Sequence, residues 1–263
     1  MVKEPTTFKR IEKKYLITDL QYNWIIDEIL AHTNPDSHKR CTVFSVYFDT
    51  PDYRLIRRSL DKPVYKEKLR LRTYGVPADD SCAFLEIKKK CKKVVYKRRV
   101  EMKYRDALSF IATHQLPAGF QLPVDFDGKS LETRKAQDLL QASRNDRQIL
   151  NEISWFLHVY PDLAPRMLIS YDRAAYYGTT DKNLRITFDT NLLWRDDPAD
   201  PTKGVWGTRL LDDGLRLMEI KVNGAMPLWL AQLLNETRIF PTSFSKYGTA
   251  FTQKLLKGEI KYA

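Results

Sequence analysis

Between Lys66 and Met102 the chain alternates charged and apolar side chains through three successive runs, KEKLRLRTYG, LEIKKKC and VVYKRRVEM. Successive residues of a β-strand point to opposite faces of its sheet. Leu69 and Leu71 therefore face one way and Arg70 and Arg72 the other. Leu85 and Ile87 oppose Glu86, Lys88 and Lys90, and Tyr96, Val100 and Met102 oppose Lys97, Arg99 and Glu101. Gly75, Pro77, Asp79 and Asp80 supply a turn between the first two runs. The spacing predicts an antiparallel meander with one ionic face. A single strand of this kind is ordinarily a solvated outer surface. Three in succession set like charges directly opposite one another, which destabilises a sheet unless something anionic lies among them.

Composition narrows what that anion is. The chain has 263 residues, 43% of them hydrophobic and 12% aromatic, enough to bury a substantial core and too apolar for a disordered chain. Its formal net charge of +11 points to an acidic partner: nucleic acid, phosphorylated small molecules or a membrane surface. The charge lies along strands and forms no basic tail, which disfavours an electrostatic arm. Cys41, Cys82 and Cys91 are odd in number and form no C-x-x-C pair, so neither a zinc site nor a disulfide framework is expected. The charged start lacks a signal-peptide core, and no apolar run approaches the roughly 20 residues a membrane span needs. The expected setting is cytoplasmic.

In chain order, Thr7 to Ile17 reads as a strand with Ile11, Tyr15 and Ile17 on one face and Arg10, Glu12 and Lys14 on the other. Thr18 or Asp19 caps a helix through Leu30, ending near an Asn34-Pro35 turn. Thr42 to Thr50 is a buried strand with Ser45, Tyr47 and Asp49 on one face, and a short helical crossing precedes the meander. Arg105 to His114 reads as a helix, Leu116 to Lys129 as a loop, and Leu131 to Ser143 and Asp146 to Val159 as two helices. Strands resume at Arg166 to Tyr177, Leu184 to Thr190 and Leu215 to Val222. Arg185, Thr187 and Asp189 share one face, while Glu219 and Lys221 share another. Helices from Pro227 to about Ile239 and over FSKYGTAFTQKLL close the chain.

Phe84 to Lys88 and Leu217 to Lys221 repeat one pattern: apolar, apolar, Glu, apolar, Lys. The repeat fits two ordinary amphipathic strands, and it also fits two matching walls. Charges turned inward cannot be trapped between layers at acceptable cost, so such a sheet has to close on itself around a wet lumen. The fold expected from the residues is α+β, with the antiparallel sheet closed into a barrel around a wet, cationic lumen. Residues 1–263 are expected to form a single domain.

An ordered set of motifs carries a family resemblance. Arg10-Ile-Glu12-Lys-Lys14, Lys68-Leu-Arg70-Leu-Arg72, Leu85-Glu-Ile-Lys88, Lys97-Arg-Arg99, Tyr171-Asp-Arg173, Arg185-Ile-Thr-Phe-Asp189, Met218-Glu219-Ile-Lys221 and Ser245-Lys246-Tyr247 occur in the order of the VTC polyphosphate polymerase domain, of the triphosphate tunnel metalloenzymes. The resemblance runs from about Phe8 to Tyr247. Any one basic dipeptide would be a weak signal; the specificity lies in the order.

That resemblance implies a closed antiparallel β-barrel tunnel of roughly eight strands with helices packed outside, open at both ends and binding a triphosphate along its axis, with ATP, triphosphate and polyphosphate as partners and Mn2+ or Mg2+ as cofactor. It implies Lys14, Arg70, Arg72, Lys88, Lys97, Arg99 and Arg173 as phosphate ligands, with Arg10, Arg185, Lys221 and Lys246 as further basic groups. Lys14, Arg70, Arg72 and Lys246 are the expected catalytic set. Glu219 matches the metal carboxylate, with Glu86 and Glu12 as further candidates. Guanidinium forks suit bidentate phosphate contacts, and a carboxylate among them suits a hard cation. For each carboxylate the competing role is an internal salt bridge. Arg10 stands where hydrolases of the superfamily begin an E-x-E-x-K strand, which favours a polyanionic acceptor over water. The implied activity is transfer of the γ-phosphate of ATP to a growing polyphosphate chain. The alternatives are a metal-dependent triphosphatase of the same fold and a non-catalytic polyphosphate binder. Nucleic-acid binding is disfavoured because the aromatics fall mainly on apolar faces.

Overall fold

A computed structural model describes residues 10–92, 94–115 and 133–258. Strand β1 (Arg10–Thr18) leads into helix α1 (Asp19–His32), then β2 (Thr33–Asp49), α2 (Arg54–Leu60), β3 (Tyr65–Tyr74), β4 (Cys82–Cys91) and β5 (Val94–Lys103). Helices α3 (Tyr104–Thr113) and α4 (Thr133–Val159) follow, then β6 (Ala164–Gly178), β7 (Arg185–Arg195), the short β8 (Thr208–Arg209), β9 (Leu215–Asn223), α5 (Leu228–Glu236) and α6 (Lys246–Leu256).

The architecture is α+β with a large antiparallel sheet, hydrogen-bonded in the order β1-β9-β7-β6-β2-β3-β4-β5 with β8 beside β7. The expected barrel closure is not what the strand pairing gives. A closed barrel requires the two outermost strands to exchange backbone hydrogen bonds, and among the described residues β1 and β5 stand at opposite ends of the strand order and do not pair with each other.

Chain contacts divide the molecule into two compact units, one of residues 1–43, 170–194 and 206–263, the other of residues 44–169 and 195–205. In the second unit Leu69, Leu71, Leu85, Ile87, Val100 and Met102 form one apolar sheet face. It packs on Ala107 and Phe110 of α3 and on Leu150, Ile153, Phe156 and Leu157 of α4. Each fully buried large side chain contributes about 1.5–3 kcal/mol, so this face fixes the register and leaves Arg70, Glu86 and Lys97 on the opposite one.

The first unit repeats the logic. Tyr15, Ile17, Ile186, Phe188, Met218, Ile220 and Val222 pack on Ile25 and Ile29 of α1 and on Leu230 and Leu234 of α5. Thr18 caps α1 through the amide of Gln21, and the Gln21 side chain accepts back from the Thr18 amide, a reciprocal capping box.

Three local expectations change. Asn34-Pro35 does not turn: β2 is already extended at Thr33 and runs through it. The two helices expected before Val159 are one, α4, because nothing at Arg144-Asn145-Asp146 breaks a helix as Pro or Gly would. β7 continues past Thr190 to Arg195. The loop expected over Leu116 to Lys129 lies outside the described residues, as do Thr7 to Lys9 of the first strand.

Candidate phosphate-binding sites

In the unit built on β3, β4 and β5, strand register stacks the charged face in rows. Lys66 pairs with Lys90, Lys68 with Lys88 and Lys97, Arg70 with Glu86 and Arg99, and Arg72 with Phe84 and Glu101. Eight cations thus share one face with two carboxylates.

Glu86 is the hub of that face. It is 1% exposed, and its Oε2 lies 2.5 Å from Arg70 Nε while Oε1 lies 2.8 Å from Lys97 Nζ. Burial alone would raise its carboxyl pKa, but Arg70, Arg72 and Lys97 outweigh burial and bring it down to about 2. Arg70 also donates to the Tyr47 hydroxyl at 3.2 Å, and Arg72 to Ser45 Oγ at 3.4 Å. Burial opposes ionisation of Tyr47 too, yet Arg70, Lys68 and Arg72 together lower the phenol to about 8. Lys97 falls to about 8 because burial and the repulsion of Arg70 outweigh the attraction of Glu86. The Arg99 guanidinium lies 4.7 Å from the Phe84 ring centroid, and Lys88 is exposed between its lysine neighbours.

The other unit carries a second cluster. Across β1, β9 and β7, Lys14 pairs with Glu219 and Glu219 with Thr187; Glu12 pairs with Lys221 and Lys221 with Arg185. Lys246 is delivered from outside the sheet. Thr242 donates its amide to the Lys14 carbonyl at 2.7 Å, Lys14 Nζ donates to the Phe244 carbonyl at 2.9 Å, and Ser245 caps α6, which begins at Lys246.

Asp189, fully buried, accepts two 2.7 Å bonds from Arg173 and a 2.7 Å contact from Lys246. Its carboxylate is saturated and fixes both cations. Burial opposes ionisation, but Lys246 and Arg173 hold it below the ordinary carboxylate range. Tyr171 lies beneath the same two cations, its ring centroid 5.1 Å from Arg173 and 4.5 Å from Lys246.

Glu219 is held differently. It faces Lys246 at 3.3 Å, Arg173 at 3.6 Å, and Lys14 and Lys221 each at 3.8 Å, all longer than a tight charged hydrogen bond. Burial raises its carboxyl pKa, and these four cations pull it well below its ordinary value. Beside it, the buried Thr187 hydroxyl has no hydrogen-bond partner among the described residues. A loosely held carboxylate next to an unsatisfied hydroxyl fits a hard divalent cation whose remaining ligands come from water or phosphate. Glu86 fits less well, since both its oxygens already sit in short ion pairs. Glu12 is partly exposed, at 3.8 Å from Lys14 and 3.5 Å from Lys221. No group of three or more His, Cys, Asp or Glu forms a protein-only metal cage among the described residues.

The sequence-derived residues thus separate into two gatherings. Arg70, Arg72, Lys88, Lys97 and Arg99 share one sheet face with Glu86, while Lys14, Arg173, Lys221 and Lys246 surround Glu219. Arg185 stands to the side, 3.7 Å from Asp36 and over the Tyr177 ring. Arg10 opens β1 opposite Asn223, and its side chain lies outside what the structure describes. Sequence reasoning assigned no role to Asp189, Tyr47, Tyr171 or Thr187. Alternation already placed Thr187 and Asp189 with Arg185, but nothing local marks Asp189 as the partner of Lys246, 57 residues further along the chain. Tyr47, Tyr171 and Phe84 also qualify the expectation that aromatics keep mainly to apolar faces.

A family model described as the VTC domain matches residues 9–254. The chain belongs to the VTC domain family. One family model spans both units. Vacuolar transporter chaperone complex subunit 4 of Trypanosoma brucei brucei is 25% identical over 218 residues, covering 73% of this chain and 26% of that protein, so the chain spans about a quarter of the relative's length. Among solved structures, a proposed adenylate cyclase of Bacillus halodurans matches with a TM-score of 0.47 and 14% identity, over 90% of this chain and 93% of that one. A Hippeastrum adenylyl cyclase-type protein described as having a dominant triphosphatase activity matches with a TM-score of 0.47 and 16% identity, over 96% and 97%. No helix among the described residues is long and apolar enough to cross a membrane.

Proposed function

We propose that this VTC domain is a polyphosphate polymerase that transfers the γ-phosphate of ATP to the end of a growing inorganic polyphosphate chain. The observation that carries this reading is the β3-β4-β5 face, where strand register sets eight cations in rows with Glu86 and Glu101 among the described residues. A chain charged at every phosphate answers that excess; a single phosphate would leave most of it uncompensated.

In the transfer, the bond from the γ-phosphorus to the oxygen bridging it to the β-phosphate breaks, and ADP leaves with the electron pair. A terminal oxygen of the acceptor chain forms the new bond. Such a reaction asks the protein chiefly to align donor and acceptor and to neutralise charge. Arg70 and Arg72 supply planar forks for phosphate oxygens, and Lys14 and Lys246 supply point charges held by the Phe244 carbonyl and Asp189. Arg10, Lys88, Lys97, Arg99, Arg173, Arg185 and Lys221 bind the remaining phosphates. Asp189 is a positioning residue that keeps Arg173 and Lys246 charged and oriented. Glu219, with Thr187 beside it, would hold a manganese or magnesium ion, which supplies charge neutralisation at phosphate oxygens when bound.

A triphosphatase is the second reading. It is favoured by the near balance of the Glu219 cluster, where Glu12, Asp189 and Glu219 face four cations. Incubating the purified protein with ATP and manganese or magnesium, with and without short polyphosphate, and resolving ADP, free phosphate and chains on a gel separates the two. Chains that lengthen faster when primed support the polymerase. Free phosphate without chains at any metal concentration supports the triphosphatase.

A further inference from the structure

The cationic face of β3 and β4 does not end at the hub around Glu86. Beyond Arg70 come the Lys68-Lys88-Lys97 row, whose Lys97 reaches back to Glu86, and then the Lys66-Lys90 row, where strand register sets lysine opposite lysine. From Arg72 to Lys66 is six residues of strand, about 20 Å at the usual rise, which is longer than a triphosphate can occupy.

The outer row is built into the fold. Lys66 is half-buried and donates Nζ to the Ser59 carbonyl at the end of α2, at 3.0 Å. The Lys92 amide donates to the Val64 carbonyl at 2.6 Å, tying the β4-β5 turn to the start of β3. No carboxylate is paired with Lys62, Lys66 or Lys90 among the described residues. Burial lowers the Lys66 pKa, and the neighbouring charges of Lys90 and Lys62 lower it further. Holding lysines together in this way is costly for the free protein.

Resting on the reading of this face as a polyphosphate site, we propose that Lys66 and Lys90 form a holding track for the part of a phosphate chain beyond its first three phosphates. The track discriminates long polyphosphate from triphosphate. It grips the chain by charge alone, with no shape selection, so its contribution is strongly salt-dependent.

The test compares the unmodified protein with a Lys66→Gln, Lys90→Gln double variant and a Lys66→Arg, Lys90→Arg double variant. Affinities for triphosphate and for long-chain polyphosphate are measured across a salt series, with circular dichroism confirming the fold. The Gln variant should lose about tenfold in long-chain affinity, and its salt slope should drop by about 1.4, at roughly 0.7 per charge removed from a single-stranded polyanion. Its triphosphate affinity should stay within about twofold, and the Arg variant should restore the long-chain value. Long-chain affinity and slope unchanged by the Gln variant would overturn the track and leave the polyphosphate reading standing, as would equal losses for both ligands. If the unmodified protein binds neither ligand, the reading and the track fall together.

Discussion

Thr187 sits directly across the β7-β9 ladder from Glu219, its buried hydroxyl without a hydrogen-bond partner beside a carboxylate that four cations approach no closer than 3.3 Å. Leaving a buried hydroxyl unsatisfied costs about 1–3 kcal/mol. A metal's water or a phosphate oxygen reaching the hydroxyl would satisfy it. Thr187→Val should raise the unfolding free energy of the free protein by about 1 kcal/mol while weakening triphosphate binding in the presence of manganese. A variant that is more stable and binds as well as the original would remove Thr187 from the site.

Glu219 and Asp189 share two cations but differ in what they can release. Asp189 is saturated at 2.7 Å, whereas Glu219 is loosely held. Glu219→Gln removes a negative charge from the phosphate site, so triphosphate affinity without metal should hold or rise. Stimulation of turnover by manganese should fall about 100-fold or more. Calorimetry with and without manganese reads the first effect and steady-state kinetics the second. Undiminished metal-dependent turnover would return Glu219 to a salt-bridge role.

Alkaline pH separates binding from stability. Lys97 and the Tyr47 phenol both titrate at about 8 in the folded protein, facing Glu86, Arg70, Arg72 and Lys68. As pH rises through 8 the site loses a cation and gains a phenolate, so polyphosphate affinity should fall. Both folded values lie below the ordinary 10.5 and 10.0. The unfolded chain therefore binds more protons in that window, and the stability of the free protein should rise with pH from about 8 toward 10. Lys97→Arg keeps its charge and should flatten much of the affinity loss; Tyr47→Phe should flatten the rest. An affinity profile that both substitutions leave unchanged would contradict this assignment.

Acid acts in the opposite sense. The folded value of Glu86 is about 2 against an ordinary 4.5, so its stabilising contribution is complete above 4.5 and is lost as pH falls through the folded value. Asp189 and Glu219 are depressed in the same direction. Unfolding free energy measured by urea titration should therefore decline steadily between pH 4.5 and 2, and Glu86→Gln should remove part of that decline while lowering stability at neutral pH. Parallel profiles for the variant and the original protein would show that Glu86 is not a hub.

The sheet faces were legible because a period of two leaves little choice. Leu69 and Leu71 need a dry side, and that alone assigns Arg70 and Arg72 to the other. The strands around Glu86 and Glu219 were legible for the same reason, and local side-chain chemistry narrowed the cap of α1 to Thr18 or Asp19, of which Thr18 is the one used. Barrel closure was not, since whether β1 and β5 pair depends on backbone geometry that side-chain alternation does not encode. The unbroken α4 was missed because polar residues at Arg144-Asn145-Asp146 resemble a turn and yet continue a helix. Within the site, the cations were readable from strand alternation. The three-way contact of Asp189 with Arg173 and Lys246 was not, because it joins two strands to a helix through chain far apart in sequence. Nor was the difference between a saturated Asp189 and a loosely held Glu219, which is a matter of tenths of an ångström.

Carrying out ATP turnover in 18O-labelled water with manganese present asks directly whether the γ-phosphate passes to a phosphate chain or to water. Mass spectrometry of the separated products should find ADP in excess of free phosphate, with the difference recovered as polyphosphate whose phosphates carry no oxygen from the labelled water. ADP and free phosphate formed in equal amounts, each phosphate bearing one labelled oxygen and no chains present, would contradict the polymerase assignment.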